Sequence, residues 1–352
     1  MKKFKIEKDP ELEDLITKCK KKGIKFGLAL GSGSARGMAH IGVIQVLEAY
    51  HIPIDMIAGT SIGSVIGSVY ATGASVEQMK EAALAMKQRG SFAIFDPTIP
   101  RSGLISGKRA EEILNNIALK DKTFDDLKIP FAAIATDLKT GAKVILNQGR
   151  VIKAVRASIS IPGIFTPVKY QDCYLVDGGV VDPVPTEVVQ KMGADIIIAI
   201  SLTEKSPKPM MMIVNKETGD LKEVDDTFNF KINIKEITKF KTAEKITSLV
   251  EKEVTSLGKK IKGVKKKLEG PHIIEVISKS VDIMEKEITS QSLAKADLVI
   301  IPSGIEGIGL FEFDKADITI KAGIDATLAK IPQIKEIIRE KLKATGRFKK
   351  FW

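Results

Sequence analysis

The sequence predicts an α/β protein built on a mainly parallel central sheet. Three observations predict it. Short apolar runs alternate along the chain with stretches of helical periodicity. Several runs are continuously apolar, IPFAAIATD at 129–137 and IIIAIS at 196–201 above all, as strands covered on both faces are. Two runs lead directly into glycine-rich turns that open helices, GSGSARG at Gly31–Gly37 and GTSIGS at Gly59–Ser64.

Taken in order, residues 1–22 carry charges of both signs and read as an amphipathic extension without the apolar stretch of a secretory signal. Lys25–Leu30 is the first buried strand, and Met38, Ile41, Ile44, Val46 and Leu47 give Met38–Ala49 a helical spacing. Ile54–Ala58 is a second strand, Val65–Ala71 a small-residue helix, and Ser75–Gln88 an amphipathic helix capped by Ser75. Lys143–Asn147 and Gly149–Val151 read as a hairpin neighbour of 129–137, Tyr174–Val176 as a short strand, and Asp297–Pro302 as a late one. Residues 204–231, rich in Lys, Pro, Asp and Met, read as irregular connection. Val250, Val254, Leu257, Ile261, Val264 and Leu268 then fall four and three apart, a seam along one side of a helix. Gly258 and Gly263 each weaken that helix by about 1 kcal/mol. The seam suits a mobile cover or a lipid interface, packing on the body, or a second chain in a homodimer.

With 352 residues and 44% hydrophobic side chains, the chain can fill a core, which excludes general disorder. Two cysteines, Cys19 and Cys173, exclude a disulfide scaffold, and three histidines leave little for a metal centre. No apolar run approaches the ~18 residues of a spanning helix, so the expectation is a cytoplasmic protein, with peripheral membrane contact an open reading. The net charge of +11 is local: 231–270 holds 12 Lys against 5 Glu, and 331–352 holds 7 Lys+Arg against 2 Glu. Two basic segments on a nearly neutral body suggest contact with something anionic. Nucleic acid is disfavoured, because 231–270 has no Arg, Tyr or Trp for forked or stacked contacts, which leaves an anionic membrane surface or a merely solvated lysine-rich face.

Gly59-Thr60-Ser61-Ile62-Gly63 fits G-x-S-x-G. In this motif the serine sits at a sharp strand-to-helix corner, and Gly59 and Gly63 leave out side chains that would collide with neighbouring backbone. The Gly31–Gly37 loop fails both G-x-G-x-x-G and the P-loop pattern, so its better use is a set of backbone N–H donors for an oxyanion, with Arg36 holding the loop or adding positive potential. None of His40, His51 and His272 lies on a loop after a late strand, where a triad would need it. Asp177-Gly178-Gly179, after the Tyr174–Val176 strand, offers a carboxylate base instead, with Gly178 and Gly179 permitting a tight turn.

These residues together resemble the patatin-like phospholipase family in its bacterial or archaeal form. GLALGSGSARGMAHIGVIQVLE is similar to its oxyanion segment, IAGTSIGSVIGSVYATG to its nucleophile elbow, AIATDLKTG with AVRASISIPGIFTPV to its middle segment, VDGGVVDPVP to its aspartate loop, and ADLVIIPSGIEGIGLFEF to its closing strand and loop. The resemblance implies a patatin-like three-layer fold and hydrolysis of phospholipid or other lipid esters by a Ser–Asp dyad, with no metal and no cofactor. By position, Ser61 is the nucleophile and Asp177 the base. Gly31, Ser32, Gly33, Ser34, Arg36 and Gly37 form the oxyanion segment, with Gly33 and Ser34 N–H as donors and Ile62 N–H assisting. Ser32 and Ser34 stand where the family usually has glycine, and serine does not take positive φ readily. The implied organisation is a catalytic domain over 23–203 and 272–330, an inserted lid or membrane-contact element at 204–271, and a basic C-terminal helix or tail at 331–352. A catalytically weak lipid-surface binder is the alternative. A nucleotide-binding module would want an acidic residue where Gly59-Thr60-Ser61 stands.

Overall fold

A computed structural model of the chain describes residues 8–89, 96, 103–203, 211–214, 221–224 and 273–347. The chain divides into two compact units, Met1–Ser206 with Ile273–Trp352, and Pro207–His272. In the larger unit the strands are β1 (Phe26–Leu30), β2 (Met56–Thr60), β3 (Gly103–Ile105), β4 (Phe131–Asp137), β5 (Lys143–Leu146), β6 (Gly163–Phe165), β7 (Val168–Tyr170), β8 (Cys173–Asp177) and β9 (Ile196–Ile200). The smaller unit contributes an antiparallel hairpin of β10 (Met211–Val214) and β11 (Leu221–Val224), and β12 (Leu298–Ile300) returns to the larger one. The helices are α1 (Pro10–Lys22), α2 (Ala39–Ala49), α3 (Ile62–Ala71), α4 (Val76–Arg89), α5 (Lys108–Leu114), α6 (Val151–Ser158), α7 (Thr186–Lys191), α8 (Ile273–Ser292) and α9 (Ala316–Arg347).

The architecture is mixed α/β, with a mainly parallel sheet in the order β12-β9-β1-β2-β4-β8-β7. The first five strands are mutually parallel; β5 and β8 run antiparallel to β4, and β7 antiparallel to β8. Both faces are covered, and strand alternation divides the core in two. Leu28 and Leu30 of β1, with Ile198 and Ile200 of β9, pack with residues of α2 and α9. Ala29, Ala58 and Ala199, pointing the other way, pack with Val188 and Val189 of α7 and Leu293 beyond α8.

The local chemistry sets the helix ends. Asp9 accepts from Leu12 N–H at 3.0 Å, Pro10 opens α1, and Gly23 closes it at φ 69°. Ser75 and Gln78 form a reciprocal cap on α4. The helix α9 runs unbroken through 330/331, so the C-terminal basic segment, as far as Arg347, continues a body helix. Its Lys335 bonds Asp9 at 2.9 Å, and Arg339 pairs with Glu11, so both charges are already met by α1.

Several expectations change. The second strand begins at Met56 rather than Ile54, because pairing with β1 starts at Gly27↔Met56. The helix after the elbow starts at Ile62, directly behind Ser61. Gly149–Val151 is no strand: Arg150 is extended, and Val151 opens α6, whose buried face is Val151, Ile152 and Val155. Met38 belongs to a 3-10 turn, Ser34–Met38, before α2. Within the stretch read as irregular, 211–214 and 221–224 form the hairpin. The seam at 250–268, with the lid, membrane and homodimer readings placed on it, lies outside the described residues. Among the described residues no helix is long and apolar enough to cross a membrane.

Candidate active site

Three strand ends converge. β1 pairs with β2 in the register Leu30↔Gly59, which sets the Gly31 loop beside the Ser61 corner. β2 pairs with β4 at Thr60↔Ile134, and β4 with β8 at Ala135↔Asp177. Ser61 and Asp177 therefore meet across the middle of β4, although 116 residues separate them. Ser61 Oγ donates to Asp177 Oδ2 at 2.6 Å, and both side chains are buried.

The corner is strained in the way its motif requires: Ser61 sits at φ 52° and ψ −122°. An added Cβ on Gly63 would stand 2.2 Å from the Leu30 carbonyl oxygen, so only glycine lets α3 approach β1 this closely. Ser61 N–H donates to Ser158 Oγ at 2.9 Å, and Thr60 Oγ donates to the Asp182 carbonyl at 2.8 Å, which ties the corner to the aspartate loop.

Asp177 is held from several sides. Its N–H donates to the Ser160 carbonyl at 2.9 Å, its own carbonyl accepts from Thr136 Oγ at 2.9 Å, and its Oδ1 accepts from Gly179 N–H at 2.8 Å. Burial raises its carboxyl from 3.8 to about 7, while the hydrogen bonds from Ser61 and Gly179 pull the other way. Asp177 is thus a far better base near neutrality than an ordinary aspartate.

The glycine-rich loop sorts its amides. Gly31 N–H donates to the Ile200 carbonyl, Ser32 N–H to that of Pro183, Ala35 N–H to that of Leu310, and Arg36 N–H to that of Gly33. Among the described residues, the N–H groups of Gly33, Ser34 and Ile62 have no such partner. Gly33 takes φ 147° and Ser34 φ 51°, so one of the two serines does occupy a left-handed conformation, while Ser32 does not. The Arg36 side chain is spent on the fold: Nε donates to the Gly33 carbonyl at 3.2 Å, and the guanidinium meets Asp282 of α8 at 2.8 Å. Gly37 lies against Ile62 and Gly178 against the Ile134 carbonyl, each without room for a side chain. His40 is fully buried, donating Nε2–H to the Gly31 carbonyl at 2.9 Å. Burial lowers it to about 4, so it is a neutral brace for the loop. His51 is an exposed turn residue at φ 55°.

Two cavities open on Ser61. One is an apolar groove of about 1100 Å³, open to solvent and walled by Met38, Ile66, Val69, Met79, Ile113 and Phe313. The other, about 310 Å³, sets Arg36, Asp177, Asp282 and Glu285 beside the apolar side chains of Ile161, Val281 and Leu310. Asp282 and Glu285 were not among the residues singled out in the sequence. The available signal was a carboxylate on the buried stripe of α8, in line with Val281, Thr289 and Leu293.

The patatin-like phospholipase family model matches residues 28–189, which contain the loop, the corner and the aspartate. An uncharacterized NTE family protein of Mycobacterium bovis is 40% identical over 189 residues, 53% of this chain and 51% of that protein. Patatin-like phospholipase domain-containing protein 7 of Rattus norvegicus is 34% identical over 185 residues, 51% of this chain and 14% of that protein. The chain therefore spans about half the length of the mycobacterial relative and a small part of the mammalian one. Among solved structures, VipD from Legionella pneumophila aligns with a TM-score of 0.39 at 12% identity, over 90% of this chain and 67% of that chain. Residues 28–189, the part of the chain that carries Ser61 and Asp177, form a patatin-like phospholipase domain.

Proposed function

We propose that the chain is a serine acyl hydrolase that cleaves carboxylic ester bonds of phospholipids or other lipid esters through a Ser61–Asp177 dyad. The observation that carries this reading is the 2.6 Å hydrogen bond from Ser61 Oγ to a buried carboxylate, at the head of an apolar groove. The family match and the mammalian relative named for a phospholipase domain support the lipid substrate class.

In the mechanism, the acyl chain lies in the apolar groove and presents its ester carbonyl to Ser61. Asp177 takes the Ser61 proton as Oγ attacks. The developing oxyanion is met by the N–H groups of Gly33 and Ser34, with Ile62 N–H at the start of α3. Asp177 then returns the proton to the leaving alcohol, which departs through the smaller cavity. Water, activated by the same carboxylate, releases the fatty acid from Ser61. With no imidazole in the relay, a carboxylate raised toward neutrality supplies the basicity.

The test compares wild type, Ser61→Ala and Asp177→Asn on a soluble chromogenic ester and on phospholipid vesicles, with fluorophosphonate labelling read by intact mass. Wild type is expected to hydrolyse and take one label at Ser61, and both variants to lose turnover at least 10³-fold. A correctly folded Ser61→Ala protein with full turnover removes the reading. Vesicle binding without turnover by wild type points to a lipid-surface binder instead.

A further inference from the structure

The glycine that follows the dyad aspartate by two positions admits a second carboxyl into the site. A Cβ added to Gly179 would stand 2.0 Å from Glu285 Oε1 and 3.2 Å from Asp177 Oδ1. The two carboxyl oxygens are therefore within about 5 Å of each other, the range in which like charges interact strongly. Glu285 is 6% exposed, projects from the buried stripe of α8, and lines the smaller cavity together with Ser61 and Asp177. Ser32, in the turn that presents the free amides of Gly33 and Ser34, favours the charged form of the Glu285 carboxyl.

We propose that Glu285 is a positioning residue of this site: it shares a single proton with Asp177 at neutral pH, so that only one of the two buried carboxyls is charged, and it ties α8 to the Ser32 turn. The proposal rests on the hydrolase reading for its catalytic meaning. Two carboxylates facing each other in a buried pocket cannot both ionise near neutrality without a compensating cation. Arg36, the cation that acts on Glu285 among the described residues, is already paired with Asp282. The groups that act on Glu285 are Asp177 from the aspartate loop, Ser32 and Arg36 from the glycine-rich loop, and Asp282 on its own helix. Burial, then the Asp177 charge, holds Glu285 well above the usual carboxylate range, with Asp282 adding in the same direction and Ser32 and Arg36 opposing. A protonated Glu285 leaves Asp177 as the charged member, ready to accept the Ser61 proton. The pair titrates in two steps that belong to both residues.

The experiment uses the full chain labelled with 13C at the glutamate carboxyl carbons. Glu285→Gln identifies the Glu285 signal by its loss; Glu285→Asp does the same if the glutamine variant lacks a cooperative melt. A signal at the protonated position at pH 7 that moves only at higher pH supports the proposal, and a signal already ionised at pH 6 overturns it. This reading needs no turnover, so a wild type that hydrolyses nothing counts against the hydrolase reading alone. For the active enzyme, kcat/KM on a soluble short-chain ester is followed from pH 5 to 9. Wild type is expected to show two ionisations, Glu285→Gln only the lower one, and Glu285→Asp both again. A Glu285→Gln profile superimposed on that of wild type overturns the positioning role.

Discussion

Asp177 couples activity to instability, and Asp177→Asn separates the two. The native carboxyl stands near 7 against 3.8 for the free group, because burial disfavours its charge. Between these values the folded protein binds a proton that the unfolded chain has released. Stability from this group is therefore fully present below about pH 4 and is lost as pH rises through 7. At about 1.4 kcal/mol per tenfold change in ionisation, the displacement amounts to about 4 kcal/mol at and above neutral pH. Asparagine keeps the size and an acceptor for Ser61 but never charges. The variant is expected to gain on wild type in urea melts as pH rises, from little difference at pH 4.5 to as much as about 4 kcal/mol at pH 8. Its turnover should fall at least 10³-fold over the same range. In wild type, kcat/KM should drop about tenfold per pH unit below 7, where the base becomes protonated. A stability gap that is the same at pH 4.5 and pH 8 would refute the argument from burial. Retained turnover would refute the assignment of the base.

Four further outcomes follow from the same geometry. Ser34→Gly relieves a serine held at φ 51° and should stabilise the fold by about 1 kcal/mol in thermal or urea melts; an unchanged midpoint argues against strain at Ser34. Gly63→Ala drives a Cβ to within 2.2 Å of the Leu30 carbonyl oxygen and should destabilise by about 2 kcal/mol or more, with loss of activity as the corner shifts; a melt like wild type contradicts the close approach. If the apolar groove holds the acyl chain, kcat/KM should rise up to about fourfold for each added methylene until the groove is filled, from ~0.8 kcal/mol per buried CH₂. Ala82→Trp, on the groove wall, should cut long-chain hydrolysis about tenfold while sparing acetyl and butyryl esters. Equal losses on short and long esters place the acyl chain elsewhere.

What the sequence determined by itself was everything that local backbone chemistry dictates. Gly59 and Gly63 around Ser61 announce a corner that no other residue type permits, and continuous apolar runs announce strands buried on both faces. Asp177 was legible because histidines were few and badly placed and because Gly178 and Gly179 follow it. Where the reading slipped, at Ile54–Ala58 and Gly149–Val151, the sequence marked apolar or β-branched residues but not the partner strand or the core face that fixes an element's ends. Only the tertiary structure decided which loop amides remain free, because those of Gly31 and Ser32 are taken by carbonyls of Ile200 and Pro183, far along the chain. It also decided that Arg36 braces the loop through Asp282, and that Glu285 comes up against Asp177 through the gap left by Gly179. The physical reason is one of range. Steric permission and strand or helix periodicity act over a few neighbours and are written in residue type. Hydrogen-bond satisfaction and the burial that shifts a carboxyl depend on atoms brought together from several regions of the chain, and exist only once the sheet and helices have packed.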